Sequence, residues 1–184
     1  VLSEQLGISR APIREALQVL VQEGLITSEP QKGKHVRQMT GKEIYDSYVV
    51  AGILEGAGVA ESLPLWTEAN METFRSVVRQ MEGKISYATK LDELAEIDEL
   101  FHATLFMACD NTRLVEMART SCATISKYLY YQHWITMFTP REYADRHHAV
   151  AEAVYSRDVK HVETALRDHY KETGLRMAQF GKEA

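Results

Sequence analysis

The chain is poor in cysteine, proline and tryptophan, with two, four and two of them in 184 residues. Cys109 and Cys122 form no Cys-x-x-Cys pair, which argues against a disulfide scaffold or a thiolate zinc knuckle, and both read as small core residues. No apolar run reads as long enough to span a bilayer and no signal-peptide pattern is present, so a soluble, cytoplasmic chain without a membrane partner is expected. Beyond Thr40, strand alternation, low-complexity tracts and short-period repeats are all missing, which leaves helices. What is there is 45% hydrophobic content, enough for a substantial core, in a length that fits one small and one medium domain.

The most informative stretch runs from Leu6 to Leu17, Leu-Gly-Ile-Ser-Arg-Ala-Pro-Ile-Arg-Glu-Ala-Leu. Gly7 suits a helix-to-helix turn, Ser9 is placed to accept a hydrogen bond from the first free amides of the next helix, and Pro12 falls in its first turn. Ile13, Ala16, Leu17, Leu20 and Val21 repeat at helical spacing as one buried stripe. Arg10, Arg14 and Gln18 recur every four residues on another face, where they can meet phosphates and base edges. Gly24 ends the helix, Leu25 to Glu29 alternates like a short strand, Pro30-Gln-Lys-Gly33 supplies a turn, and Lys34 to Arg37 reads as the returning strand. Helix, turn, helix and basic hairpin make a winged helix. Each part alone also reads as an ordinary solvated helix pair or hairpin; the ordered combination carries the inference.

This segment resembles the GntR family of bacterial transcription regulators. The family signature is a Leu-Gly-hydrophobic-Ser/Thr-Arg-x-Pro-hydrophobic-Arg-Glu-Ala-Leu string, then Glu-Gly-hydrophobic and a glycine-tipped wing. Leu6 to Leu17, Glu23-Gly24-Leu25 and Lys32-Gly33-Lys34-His35-Val36 follow it. The resemblance implies that Arg10 and Arg14 contact double-stranded operator DNA, with Ser9 nearby, and that Gly33 tips a wing whose Lys32 and Lys34 lie along the minor groove or backbone. It also implies a helix ahead of Val1, so the winged helix, residues 1–39, reads as truncated at its start with the first helix missing.

The net charge of −5 looks wrong for a DNA binder until it is divided at Gln38-Met-Thr-Gly41. Residues 1–40 hold five Lys/Arg against four Asp/Glu, a balance of +1, and the remainder carries −6. A near-neutral recognition part predicts modest nonspecific affinity, because the phosphate contribution scales with the cations that displace counterions. Two copies in a homodimer would double it and match a pseudo-palindromic operator.

Residues 40–184 read as a six-helix antiparallel bundle. Thr40-Gly-Lys-Glu43 caps a helix to about Leu63, which Pro64 stops; Thr67 to Tyr87 carries the second and Leu91 to Cys109 the third. A long fourth helix follows Asp110-Asn111 and lasts to about Met137, the fifth runs from Thr139-Pro140 through Tyr155, and the sixth from Asp158 to near Phe180. Polar residues interrupt their apolar stripes. In the third helix Leu94, Asp98, Phe101, His102 and Leu105 share the inward face, and Asp98 and His102 are one turn apart. His147 lies on the inward stripe of the fifth helix and His169 on that of the sixth, whereas His148 lines up with Glu152 and Tyr155 on a wetter side and His161 sits off the edge. An unpaired buried carboxylate is costly, and a metal is one way to compensate it. Three imidazoles and a carboxylate suit zinc, nickel, manganese or iron and leave positions open for a small oxygen ligand. A metal-free hydrogen-bond network is the plainer alternative.

This region resembles the FCD ligand-binding domain of the FadR branch of the same family. Many such domains carry an Asp-x-x-x-His pair and two further histidines on the last two helices, matched here by Asp98, His102, His147 and His169; six helices favour the VanR-like subgroup. The resemblance implies a metal that helps hold a small organic acid and helices that pair two subunits. One departure is Ala51, which stands three residues before Leu54-Glu55 where many members have an effector-binding arginine. The effector is then held mainly by the metal, is less acidic, or uses a different cation. Lys127, Tyr130 and Gln132 are polar candidates on the fourth helix. The expected function is a DNA-binding transcription regulator, not an enzyme, whose operator affinity a carboxylate effector controls at a metal centre. The alternatives are a regulator in which the ion itself is the signal and a metal-dependent hydrolase, against which no separate general base is evident.

Overall fold

The computed structural model describes residues 2–183; Val1, where the winged-helix reading starts, and Ala184 lie outside it. Helices α1 (Leu2–Leu6) and α2 (Arg10–Gln22) join at Gly7, whose φ of 65° is one that side chains rarely adopt. Past α2, Gly24 and Leu25 donate their N–H groups back to the carbonyls of Val21 and Leu20, closing the helix end. Strands β1 (Ile26–Glu29) and β2 (Gly33–Val36) form the antiparallel wing, with Ile26 opposite Val36 and Glu29 opposite Gly33. Two expectations fail here. Ser9 is the N-cap residue, but its hydroxyl makes no cap bond, because the exposed helix start is open to water. Nor is the α2 stripe buried: Ile13, Leu17, Leu20 and Val21 are half-buried and Ala16 is exposed, since the one-turn α1 and the thin wing cover that face only in part.

The remainder is helical: α3 (Gly41–Ser62), α4 (Glu68–Ile85), α5 (Ala95–Leu105), α6 (Thr112–Ser121), α7 (Tyr131–Trp134), α8 (Pro140–Ser156) and α9 (Val159–Ala178). Thr40, Thr67 and Thr139 cap α3, α4 and α8 through reciprocal bonds with Glu43, Asn70 and Glu142. Asp158 accepts from the amides of Lys160 and His161 to start α9. The fold is mainly α, a winged helix-turn-helix followed by a helical bundle. The fourth helix is not continuous as expected: it is α6, a π-helical stretch at Thr124–Leu129 and the single turn α7. Hydroxyls explain the break, because Thr120, Ser121 and Ser126 donate to the carbonyls of Glu116, Met117 and Cys122, competing with the amide ladder. The third helix is also shorter, with a 3-10 turn at Leu91–Leu94 and an end at Leu105.

Helix α3 runs along α9 and against α6. Gly52 permits the close α3–α9 approach, since a Cβ there would lie 2.9 Å from Cβ of Tyr170. Contrary to the expectation, Gly41–Leu65 is apolar enough by length and composition to cross a membrane, with a mean hydropathy of 1.2. Half of that window is buried in the bundle, and a helix flanked by neighbours is apolar on several sides. The main core gathers Phe74, Leu94, Phe101, Leu105, Val154 and Leu166, while Met39, Ile44, Tyr48, Ile125, Tyr130 and Met177 form a smaller cluster at the start of α3. Cys109 and Cys122 are half-buried, because both lie in the irregular connections that flank α6; of the two, Cys122 packs against the smaller apolar cluster.

Candidate functional site

Inside the bundle, α5, α8 and α9 bring His102, His147 and His169 together, with one ligand nitrogen from each within 4.8 Å of the others. Asp98, one turn before His102, places Oδ1 3.2 Å from His147 Nε2, close enough for attraction but not aligned as a hydrogen bond. A carbonyl can only accept, so the 2.8 Å contact between His147 Nδ1 and the Tyr143 carbonyl puts the proton on Nδ1 and leaves Nε2 free. His102 Nδ1 lies 2.6 Å from Glu55 Oε1, and the Tyr170 hydroxyl donates to Glu55 Oε2 at 2.6 Å. Glu55 is 3% exposed, so these two contacts anchor a buried carboxylate.

Burial lowers the pKa of His147, and burial followed by the charge of Arg146 holds His169 well below the ordinary value. For Asp98 burial opposes ionisation, but His147 and His102 outweigh it and keep the carboxyl below its usual range. Burial also works against charge on His102, yet Glu55 reverses the balance and raises it to about 9. The buried His147 Nε2 and His169 Nδ1, and the hydroxyls of Tyr48 and Tyr143, have no hydrogen-bond partner among the described residues. Buried polar atoms without partners are costly. The three imidazoles therefore fit a divalent transition ion as a donor set, while Asp98, beside His147, is not in the group whose donor atoms lie within 4.8 Å of one another.

A cavity of about 270 Å³ adjoins these groups, lined also by Tyr48, Cys122, Ser126, Tyr143, Arg146 and Thr173. Arg146 donates Nε–H to Glu172 at 2.9 Å and Nη2–H to Thr173 Oγ1 at 2.6 Å, and its guanidinium lies 4.0 Å from the Phe138 ring centroid. Ala51 is fully buried in α3, so this guanidinium reaches the cavity from α8 instead. Glu55, Arg146 and Tyr170 were missed as site residues by sequence reasoning. Glu55 had a signal, since it is the one charged residue in the apolar run from Val49 to Ala60; nothing marked the other two. Lys127 lines the cavity and pairs with Glu99 at 2.9 Å, Tyr130 is buried against Met39, and Gln132 is exposed. His148 sits half-exposed with Nε2 3.1 Å from Glu82, and His161 is exposed. On the other part of the chain Ser9, Arg10, Arg14, Gln18, Lys32 and Gly33 are exposed and Lys34 is half-exposed, with Lys32 paired to Glu29 at 2.9 Å.

A winged helix ahead of a helical bundle that holds a cavity lined by several titratable groups is the build of a DNA-binding regulator. The chain belongs to the FCD family: residues 46–172 match the FCD domain, and residues 1–36 match the bacterial regulatory proteins of the gntR family. The Nta operon transcriptional regulator of Aminobacter aminovorans is 28% identical over 148 residues, covering 79% of this chain and 67% of that protein. The HTH-type transcriptional repressor RspR of Escherichia coli K12 is 25% identical over 185 residues, covering 99% and 79%. The solved structure of E. coli McbR/YncC superposes with a TM-score of 0.73 at 19% identity, covering 97% of this chain and 84% of that one, and shows the shared fold. The chain is a DNA-binding transcriptional regulator of GntR/FCD type and not an enzyme.

Proposed function

We propose that the protein is a cytoplasmic homodimer in which residues 1–39 bind a pseudo-palindromic operator and residues 40–184 sense an effector and pair the subunits. A small organic acid, held in the cavity together with a divalent ion of zinc, nickel, manganese or iron, sets operator affinity. The observation that supports this most is the convergence of His102, His147 and His169, with Asp98 beside His147, at a cavity in the bundle, with buried imidazole nitrogens left unpartnered. When bound, the ion supplies a positive, oxygen-seeking centre. Around it Glu55 orients His102, the Tyr143 carbonyl orients His147, and Arg146 offers a second positive group to an anionic ligand. Arg10, Arg14 and Gln18, with Ser9, meet base edges and phosphates from α2, while Lys32, Gly33 and Lys34 follow the backbone from the wing. An effector that fits one arrangement of the bundle better than another shifts the spacing of the two winged helices.

The experiment is operator binding by the full-length protein to a site selected from random duplex DNA, with zinc and with zinc plus a panel of small carboxylates. The reading expects at least one carboxylate to change affinity only when zinc is present, and His147→Ala to abolish that response. A response to zinc alone, unaltered by any carboxylate, would make the ion the signal; no response to either would refute the reading.

A further inference from the structure

The linker between the wing and α3 is held by Tyr130, which does not line the cavity itself but stands between two residues that do, Lys127 and Tyr131. Met39 is 4% exposed although Gln38 beside it is open to solvent. Its backbone N–H donates to Tyr130 Oη at 3.0 Å, and its carbonyl accepts from the same hydroxyl at 3.2 Å. That carbonyl also accepts from the Lys182 N–H at 2.9 Å. The N–H of one buried linker residue, and half the bonding of its carbonyl, thus depend on a single phenol.

Tyr130 closes the π-helical stretch, its own N–H donating to the Ile125 carbonyl at 2.9 Å. The same segment forms one wall of the cavity through Cys122, Ser126 and Lys127, with Tyr131 and Trp134 directly after. The other walls come from α3, α5, α6, α8 and α9, with Leu91 of the 3-10 turn and Phe138 ahead of α8, so the one π-helical ladder among the described residues at the cavity is the one that Tyr130 closes. Packing joins the same parts. Met39, Tyr48, Ile125 and Tyr130 share the smaller apolar cluster, Tyr170 packs on it, and both Tyr48 and Tyr170 also line the cavity. Because Glu55 bonds both His102 and Tyr170, the proposed ligand set reaches that cluster through one carboxylate.

We infer that Tyr130 is the positioning residue that carries the state of the cavity to the linker, and so to the orientation of the winged helix. The inference rests on the ligand-responsive reading above. Occupancy that shifts the wall around Cys122–Tyr130, or locks Glu55, moves the Tyr130 hydroxyl and with it Met39, three residues beyond the end of β2. Such coupling requires that both ends be seen to respond.

The test uses the full-length protein, zinc ion as the probe, and two readouts: metal stoichiometry and amide hydrogen exchange across residues 36–41. Saturating zinc is expected to change wild-type linker exchange by about threefold or more. Tyr130→Phe keeps the packed ring and should bind zinc within about twofold of wild type, exchange linker amides about tenfold faster, and lose the zinc dependence. Ile125→Val loosens the same cluster without touching the Met39 bonds and should keep the zinc response; a purely structural role for Tyr130 would make the two variants behave alike. Tyr130→Phe with the wild-type zinc response overturns the inference, and so does a wild-type linker indifferent to bound zinc. If Tyr130→Phe does not fold, the wild-type response at residues 36–41 decides alone. A protein that takes up no zinc refutes the metal reading itself, which the stoichiometry shows separately, and the coupling falls with it.

Discussion

Glu55→Gln should remove most of the proton release that accompanies metal uptake. In the metal-free protein Glu55 raises the His102 pKa to about 9, so at pH 7.5 the imidazole is almost fully protonated. A metal binds only neutral imidazole, and the other two histidines have lowered pKa values and are already neutral there. Uptake of zinc at pH 7.5 should therefore expel about one proton, nearly all of it from His102, and about half a proton at pH 9. The sign follows from the raised pKa: release is largest below it and fades as pH rises through it. Glutamine has nearly the same shape but no charge, so burial, with Arg146 beside it and only Asp98 opposing, brings His102 back toward the ordinary value of about 6.5. That change is about 3 kcal/mol of lost preference for the imidazolium, and it cuts release at pH 7.5 to about 0.1 proton. Calorimetric titration with zinc in buffers of different ionisation enthalpy counts the protons. Equal release by wild type and Glu55→Gln would refute the assignment of His102 as the protonated group.

His147→Ala should lose bound metal on elemental analysis and His148→Ala should retain it, because His147 is 1% exposed beside Asp98 while the His148 side chain is 40% exposed beside Glu82. Arg14→Ala should weaken specific operator binding by about 1–3 kcal/mol in a mobility assay, whereas Lys34→Ala should lower the slope of log affinity against log salt by about one. Gly58→Val should destabilise the fold by about 1–3 kcal/mol in chemical denaturation, since a Cβ there meets Leu114 Cδ2 at 2.6 Å and Phe106 Cε1 at 2.8 Å.

The helix starts at Thr40, Thr67 and Thr139 were legible because a capping box is a local pattern, and the inward histidines because periodicity alone selects a helix face. The break at Cys122–Tyr130 was not, because hydroxyl back-bonding competes with the ladder only by small energies that an apolar stripe does not reveal. Glu55 carried the same signal as Asp98, a lone carboxylate on an apolar helix, but its partners lie 47 and 115 residues away and no spacing rule connects them. Arg146 is adjacent to His147 in sequence yet reaches the cavity only because Phe138, Glu172 and Thr173 hold its long side chain there. The α2 stripe was correctly placed at helical spacing, but burial depends on what covers a face, and spacing carries no information about that.

Anomalous X-ray scattering from crystals of the zinc-loaded protein tests the central claim most directly. One peak per chain, bounded by Asp98, His102, His147 and His169, is the predicted result. A peak elsewhere, or none in protein soaked with saturating zinc, would contradict the account.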